Sequence, residues 1–324
     1  MPSIHVLSPN DPTLLESLRR VAPEGIEVQW VNAALPLDEQ AAQLQDATAV
    51  IAVPSVFPVD LALKCPNLRL IQTTSAGTNM IDIPALNELN IQVANNGGGN
   101  AVAVSEHTVA LMVSVYRKMH LQFQAVKNRQ WMGTVRSEWL SQAYELTGKT
   151  VGIVGLGRIG QRVARRLQGW DCTLLYHDIA KFPSAVEEAL HVTRVPLDDL
   201  LRTADVVTLH VPLNRHTKAM ISDREFDLMK PTAVLINACR GPVVDEAALI
   251  RAIQGKKIMA AGLDVLEEEP TPANNPLLDM DNVLITPHLA AFAQESYEKS
   301  RTFAVHNTAR VAMGEEPESV VEPV

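Results

Sequence analysis

The sequence predicts an α/β protein built on doubly wound parallel sheets, and three observations carry that expectation. Thr150–Val154 is a short apolar run, rich in β-branched residues, that leads through a glycine-rich turn into a helical pattern. Short apolar runs alternate with helical patterns through the first hundred residues, and the same alternation resumes after the glycine turn. Parallel strands need crossovers, and a helix between consecutive strands supplies one.

Taken in order, Ile4–Leu7, Ile26–Val31, Thr48–Val53, Leu68–Thr73 and Ile91–Ala94 are expected to be buried strands. Pro12–Val21 and Leu37–Leu44 have helical spacing between them, so this part forms a small α/β domain of its own. Gly97, Gly98 and Gly99 then interrupt the pattern, and three adjacent glycines suit a loop or a hinge. A long helix is expected over Ala101–Lys118, apolar on most faces (Val102, Val109, Met112, Val113, Tyr116), and its expected place is between two domains. From Phe123 to Leu146 the sequence is polar and weakly periodic around Trp131 and Trp139, two aromatics that either anchor a partner surface or cap a local core.

The glycines after Thr150–Val154 are Gly155, Gly157 and Gly160, in the order G-x-G-x-x-G, and Ile159, Val163, Ala164 and Leu167 follow at helical spacing. A strand that turns sharply into a helix offers backbone N–H groups and the positive helix end to a pyrophosphate. Gly155 allows the tight turn, Gly157 the close approach of backbone and ligand, and Gly160 the contact of helix with strand. A second apolar run, Cys172–Tyr176, ends near Asp178, where a dinucleotide fold keeps its ribose-binding acid. A carboxylate there accepts from a free 2′-hydroxyl and repels a 2′-phosphate, which favours NAD over NADP; nearby Lys181 weakens that preference, and a solvated loop acid is the alternative for Asp178. Beyond it Asp205–Leu209, Thr232–Asn237, Ile258–Leu263 and Val283–Ile285 are expected strands, with helices at Phe226–Met229 and Glu246–Ile253. A last helix, about Gln294 to Met313, precedes a polar tail and is expected to pack back on the first domain.

A chain of 324 residues suggests about two domains, and an apolar content of 47% is enough for sizeable cores. The N-terminal residues show no basic region followed by a long apolar one, so no signal peptide is expected, and no apolar run approaches the roughly 18 residues of a membrane span. A net charge of −9 argues against a nucleic-acid surface. Three scattered cysteines, Cys65, Cys172 and Cys239, have no metal-ligand spacing and fit a reducing compartment. The expectation is a soluble cytoplasmic protein with no metal, nucleic-acid or membrane partner.

Several expected strands end in residues that can do chemistry: His210, the Ala238-Cys239-Arg240-Gly241 segment, Asp264, and Thr286-Pro287-His288. Ligands of open α/β sheets bind outside the carboxyl ends of the strands. His288 can hold and release a proton near neutrality. Glu269, ahead of a proline-bounded loop, can stabilise a protonated imidazole. Arg240 can grip a substrate carboxylate with two parallel hydrogen bonds. Spacing alone also allows a core histidine, a solvated acidic run and a surface ion pair.

Five stretches carry a resemblance: Val151–Gly160, His210-Val-Pro-Leu213, Leu235–Leu249, Ala261–Pro270 and Thr286-Pro-His-Leu-Ala290. Together, and in this order, they resemble the D-isomer-specific 2-hydroxyacid dehydrogenase family, over essentially the whole chain. The resemblance implies a Rossmann NAD-binding domain, residues 100–290, inserted into a flavodoxin-like substrate domain, residues 1–99 and 291–324, with the site in the cleft. It implies Arg240, Glu269 and His288 as the catalytic set. Cofactor contacts are implied at Gly155, Gly157, Arg158, Ile159, Gly160, Asp178, His210, Pro212, Thr217, Ala238, Cys239, Asp264, His288 and Ala290. Substrate contacts are implied at Ser75, Ala76, Gly77, Asn100 and Arg240. The reaction it implies is reduction of a 2-oxo acid to the D-alcohol, and the reverse, with NAD as cofactor and His288 as acid and base. Cys239 stands where the family often has a small or hydroxylic residue.

Ser55-Val-Phe57 and Ser75–Asn79, the expected variable face of the pocket, are neutral. A phosphorylated substrate would want Arg or Lys there, so a small acid such as glyoxylate or hydroxypyruvate, or one with an apolar chain, is favoured over 3-phosphoglycerate. The related formate dehydrogenases carry glutamine where Glu269 stands. Trp139 resembles an aromatic that some glyoxylate/hydroxypyruvate reductases lend to the neighbouring subunit, so Trp139→Ala is expected to change substrate preference. The family also implies a homodimer through Ala101–Lys118 and the Trp131–Trp139 segment. An NAD-sensing corepressor is the alternative of another class.

Overall fold

The computed structural model describes residues 2–131 and 142–322, and the chain divides into two compact units. Met1–Asn100 with Phe292–Val324 form one, and Ala101–Ala291 form the other. Both are α/β with wholly parallel sheets.

The first unit holds β1 (Ser3–Ser8), β2 (Glu27–Asn32), β3 (Ala49–Ala52), β4 (Leu70–Thr73) and β5 (Gln92–Ala94), ordered β2-β1-β3-β4-β5. This is the flavodoxin-like order, with its reversal between β1 and β3. Strands β3 and β4 are buried at every position, as strands covered on both faces must be. One face packs on Leu44, Leu61, Leu86 and Phe57. On the other, Ile4, Val6 and Ile51 meet Ala304, Val305 and Ala309 of the helix Gln294–Ala312. Small residues on that helix let it lie close to the sheet, so the last helix does pack on the first unit.

The glycine run that suggested a hinge is a packed turn. Asn95 and Asn96 accept hydrogen bonds from the Gly97 and Gly98 amides at 3.1 Å each. A Cβ on Gly97, whose φ is +63°, would lie 2.7 Å from the Phe303 ring, and one on Gly99 would lie 2.7 Å from Ser300 Oγ. Glycine is required here by close packing against the last helix rather than by mobility.

The second unit holds β6 (Thr150–Val154), β7 (Thr173–His177), β8 (Val192–Arg194), β9 (Val206–Leu209), β10 (Val234–Asn237), β11 (Ala260–Leu263) and β12 (Val283–Ile285). The sheet order is β12-β11-β10-β9-β6-β7-β8. Counted from β6 this is the Rossmann order with one further strand at the edge, and the reversal falls between β6 and β9. Gly152 in mid-strand makes room for Leu200, whose Cδ2 would lie 2.3 Å from a Cβ there. Burying a leucine of this kind contributes about 1.5–3 kcal/mol, which outweighs the entropic cost of a strand glycine.

The long helix ends at Tyr116 rather than Lys118, because Lys118 is left-handed (φ +50°) and starts a second helix, Met119–Lys127. Part of the Phe123–Leu146 stretch is therefore helical, which its weak periodicity concealed. The first helix packs on β10 and β11, where Gly262 leaves room for Leu111 and Val115. Trp131 is exposed, and Trp139 lies outside the described residues. Among the described residues no helix is long and apolar enough to cross a membrane.

Candidate active site

The carboxyl ends of β6, β7, β9, β10, β11 and β12 bring most of the expected residues to one end of the second sheet. At the end of β6, Gly155 has φ +95°, and a Cβ on it would lie 2.6 Å from the His210 carbonyl oxygen at the end of β9. A Cβ on Gly160 would lie 2.1 Å from the Gly155 carbonyl oxygen, so the helix Gly160–Leu167 starts in direct backbone contact with the turn. A Cβ on Gly157 would meet nothing within 4 Å. Two glycines close the turn and the middle one leaves its outer face open, which fits the pyrophosphate of a dinucleotide.

Asp178 follows β7 and is tied to the glycine turn. Its Oδ2 accepts from the Leu156 amide at 2.7 Å and its Oδ1 from the Ala180 amide at 2.8 Å. The carboxylate is thereby fixed against the glycine turn, with lone pairs left for hydroxyl donors. Asp178→Ala is expected to weaken NADH binding about 10- to 100-fold, as read by fluorescence titration. Binding within twofold of the parent would remove Asp178 from the cofactor site.

His210 contributes through its backbone, packed on Gly155. Its Nε2 shares a 3.0 Å hydrogen bond with Thr208 Oγ1, while Nδ1 is buried and has no partner among the described residues. Burial pushes the imidazole pKa down to about 3, so the ring is neutral. Cys239 is also buried, its Sγ 3.1 Å from Asn237 Oδ1, and burial raises its thiol to about 11. That thiol is a small buried residue and not a nucleophile at neutral pH.

Arg240 follows β10 in a loop held from below by Asn237, a residue the sequence reading passed over. Asn237 is buried; it donates to the Arg240 carbonyl at 3.0 Å and accepts from the Cys239 amide at 3.1 Å. Arg240 Nη1 donates to the Cys239 carbonyl at 2.5 Å. Next to it, a Cβ on Gly241 would lie 1.7 Å from the Leu266 carbonyl oxygen. The loops after β10 and β11 therefore touch backbone to backbone at that glycine.

The loop after β11 carries Glu269, whose Oε1 accepts from the Leu266 amide at 2.9 Å and whose Oε2 lies 2.5 Å from His288 Nδ1. Both side chains are partly exposed. With Nδ1 donating to Glu269, Nε2 is the nitrogen left for proton transfer. Glu246 secures the same loop, accepting from the Glu267 amide at 2.9 Å and from Asn275 Nδ2 at 2.7 Å.

His288 itself has a left-handed backbone, φ +54°. Its amide donates to the Asp264 carbonyl at 2.8 Å, and the amides of Leu289 and Ala290 donate to the buried Asp264 carboxylate at 3.0 and 2.8 Å. A strained backbone of this kind persists only when its surroundings hold it. Arg240, Glu269 and His288 thus stand on three adjacent loops of one sheet.

Residues 109–290 match the family model described as "D-isomer specific 2-hydroxyacid dehydrogenase, NAD binding domain". The chain belongs to the D-isomer-specific 2-hydroxyacid dehydrogenase family. It is similar to a glyoxylate reductase of Thermofilum pendens, 39% identical over 79% of this chain and 75% of that protein. It is also 36% identical to a D-3-phosphoglycerate dehydrogenase of Archaeoglobus fulgidus over 88% of this chain, which spans only 53% of that relative. Among solved structures, D-mandelate dehydrogenase of Rhodotorula graminis matches with a TM-score of 0.87 at 28% identity, covering 100% of this chain and 99% of that one. As a member of this family the chain is an NAD-dependent 2-hydroxyacid dehydrogenase.

In the first unit, Ser75 lies in a turn after β4. Its Oγ donates to the Gly77 carbonyl at 2.7 Å and lies 2.7 Å from Ser55 Oγ, while its carbonyl accepts from the Asn96 amide at 3.0 Å. Ala76 and Gly77 continue this turn, and Asn100 is the last residue of the unit's first segment.

Proposed function

We propose that this dehydrogenase reduces a small, unphosphorylated 2-oxo acid of the glyoxylate or hydroxypyruvate type to the D-2-hydroxy acid, and catalyses the reverse reaction. The observation that carries the reading is the 2.5 Å pair of His288 Nδ1 with Glu269, which orients one histidine nitrogen and leaves the other for a substrate oxygen. NADH supplies the hydride when bound. Arg240 holds the substrate carboxylate, His288 gives its Nε2 proton to the carbonyl oxygen, and Glu269 keeps the imidazolium oriented and its charge balanced.

The other contacts belong to the same proposal. Gly155, Gly157, Arg158, Ile159, Gly160, Asp178, His210, Pro212, Thr217, Ala238, Cys239, Asp264, His288 and Ala290 serve the cofactor. Ser75, Ala76, Gly77 and Asn100 serve the acid with Arg240. The neutral side chains of Ser55–Phe57 and Ser75–Asn79 support an unphosphorylated substrate. The phosphoglycerate dehydrogenase likeness favours the second reading, a phosphorylated acid. The proposal also includes a homodimer, motivated by the exposed Trp131 and tested by light scattering, where a monomer would remove it. The free cysteines Cys65, Cys172 and Cys239 support a cytoplasmic setting, which fractionation of the producing cells would test.

The deciding experiment is oxidation of NADH, with NADPH in parallel, against glyoxylate, hydroxypyruvate, pyruvate, phenylpyruvate and 3-phosphohydroxypyruvate. Turnover of glyoxylate or hydroxypyruvate above the others is expected. Preference for the phosphorylated acid would replace this reading with the second.

A further inference from the structure

Asp264 is a buried carboxylate that orders the loop carrying His288, and one side chain far away in sequence reaches it. Thr286 Oγ1 donates to Asp264 Oδ1 at 2.5 Å, and the Leu289 and Ala290 amides donate to Oδ1 and Oδ2. Three donors converging on one carboxylate are the set an ionised acid takes, since it can only accept. The Thr286 hydroxyl has one hydrogen to donate, and it points at Asp264 Oδ1. The 3.0 Å contact between Thr286 Oγ1 and His107 Nε2 must then run the other way, with His107 as donor. His107 Nε2 also lies 3.5 Å from Asp264 Oδ1. Its side chain is mostly covered, on the helix Ala101–Tyr116, where the neighbouring Glu106 pairs with Arg166 at 2.9 Å.

We propose that His107 is a positioning residue for the reaction: its Nε2–H orients the Thr286 hydroxyl, which with Asp264 holds the left-handed backbone at His288 in place. The relay runs His107, Thr286, Asp264, then the amides of Leu289 and Ala290. Neither His107 nor Thr286 is among the residues proposed to hold the acid, so the effect is expected on the placement of the His288 ring and on the rate rather than on binding of the oxo acid. The rate part of this inference rests on the proposed role of His288; the loop part does not.

Three variants test it. His107→Phe keeps bulk and removes the donor, His107→Gln returns an N–H donor on a side chain of similar reach, and Thr286→Val breaks the relay one step on. Amide hydrogen exchange of the peptide spanning 286–292 is the first readout, because it needs no substrate. In His107→Phe and Thr286→Val the Leu289 and Ala290 amides are expected to exchange about tenfold faster, with His107→Gln close to the parent. The second readout is kcat against KM on whichever acid the parent reduces. In the Phe and Val variants kcat is expected to fall about tenfold and KM to change less than twofold, with recovery in the Gln variant.

Unchanged exchange in His107→Phe overturns the proposal. So does an equal loss in His107→Gln and His107→Phe, since that would make His107 a packing residue only. Altered exchange with unaltered kcat overturns the catalytic part and keeps the loop role. A parent that turns over none of the acids counts against the proposed substrate class and leaves the exchange comparison decisive for the relay.

Discussion

His288→Asn is expected to lower kcat by roughly three orders of magnitude, the upper range for loss of a general acid, with NADH affinity within a few-fold of the parent. Asparagine is the informative substitution because the backbone at His288 is left-handed, φ +54°, and asparagine tolerates that region better than alanine does. Its amide can still donate toward Glu269, so the acidic partner keeps a hydrogen bond. What disappears is the second ring nitrogen, the one proposed to carry the proton to the substrate oxygen. Steady-state kinetics with NADH and the preferred acid give kcat, and a thermal melt controls for folding. A variant that melts like the parent and keeps kcat within tenfold would sink the assignment of His288 as the proton donor.

Gly241→Ala is expected to lower kcat/KM at least about 100-fold while NADH still binds, because a displacement near 1 Å in a reacting site costs about that much. The added methyl would stand 1.7 Å from the Leu266 carbonyl oxygen, 2.0 Å from its carbon and 2.6 Å from the Glu267 amide nitrogen. All three are backbone atoms, so no side chain can swing aside. Either the Arg240 loop or the loop that carries Glu269 must shift, and each shift separates Arg240, the proposed carboxylate-binding residue, from Glu269, the partner of His288. The glycine turn around Gly157 and the Asp178 carboxylate lie on other strands, so NADH binding is expected to weaken less than kcat/KM although Ala238 and Cys239 of the Arg240 loop are also proposed cofactor contacts. Kinetics on purified protein, with NADH fluorescence titration beside it, measure the two effects separately. Retained kcat/KM would mean that the two loops do not set the site's geometry.

The parts of this molecule that depend on local patterning were legible in the sequence. Alternating short apolar runs and helical spacing gave the two parallel sheets, and Gly155, Gly157 and Gly160 marked the sharp turn that the backbone clashes at Gly155 and Gly160 require. Arg240, Glu269 and His288 each sit just past a strand end, where motif and topology agree. The edge strand Val192–Arg194 escaped notice because two of its three side chains are exposed and its apolar signal is a single valine. The helix Leu197–Thr203 is short, with Asp198, Asp199 and Arg202 diluting its pattern. The Gly97–Gly99 turn looked mobile because sequence shows the absence of side chains and not the Phe303 ring that fills the space. His107 and Thr286 stand 179 positions apart, and no local pattern connects them.

The first unit has a further consequence for how the chain is made. Its sheet is completed on one face by the helix Gln294–Ala312 and at its last edge by Val320, which bridges Ala94 while Asn307 bonds Gln72 and Glu318. The second unit is contiguous and has all its strands once synthesis passes Ile285. In chain order, every strand of the second unit therefore precedes the helix that covers Ile4, Val6 and Ile51 of the first.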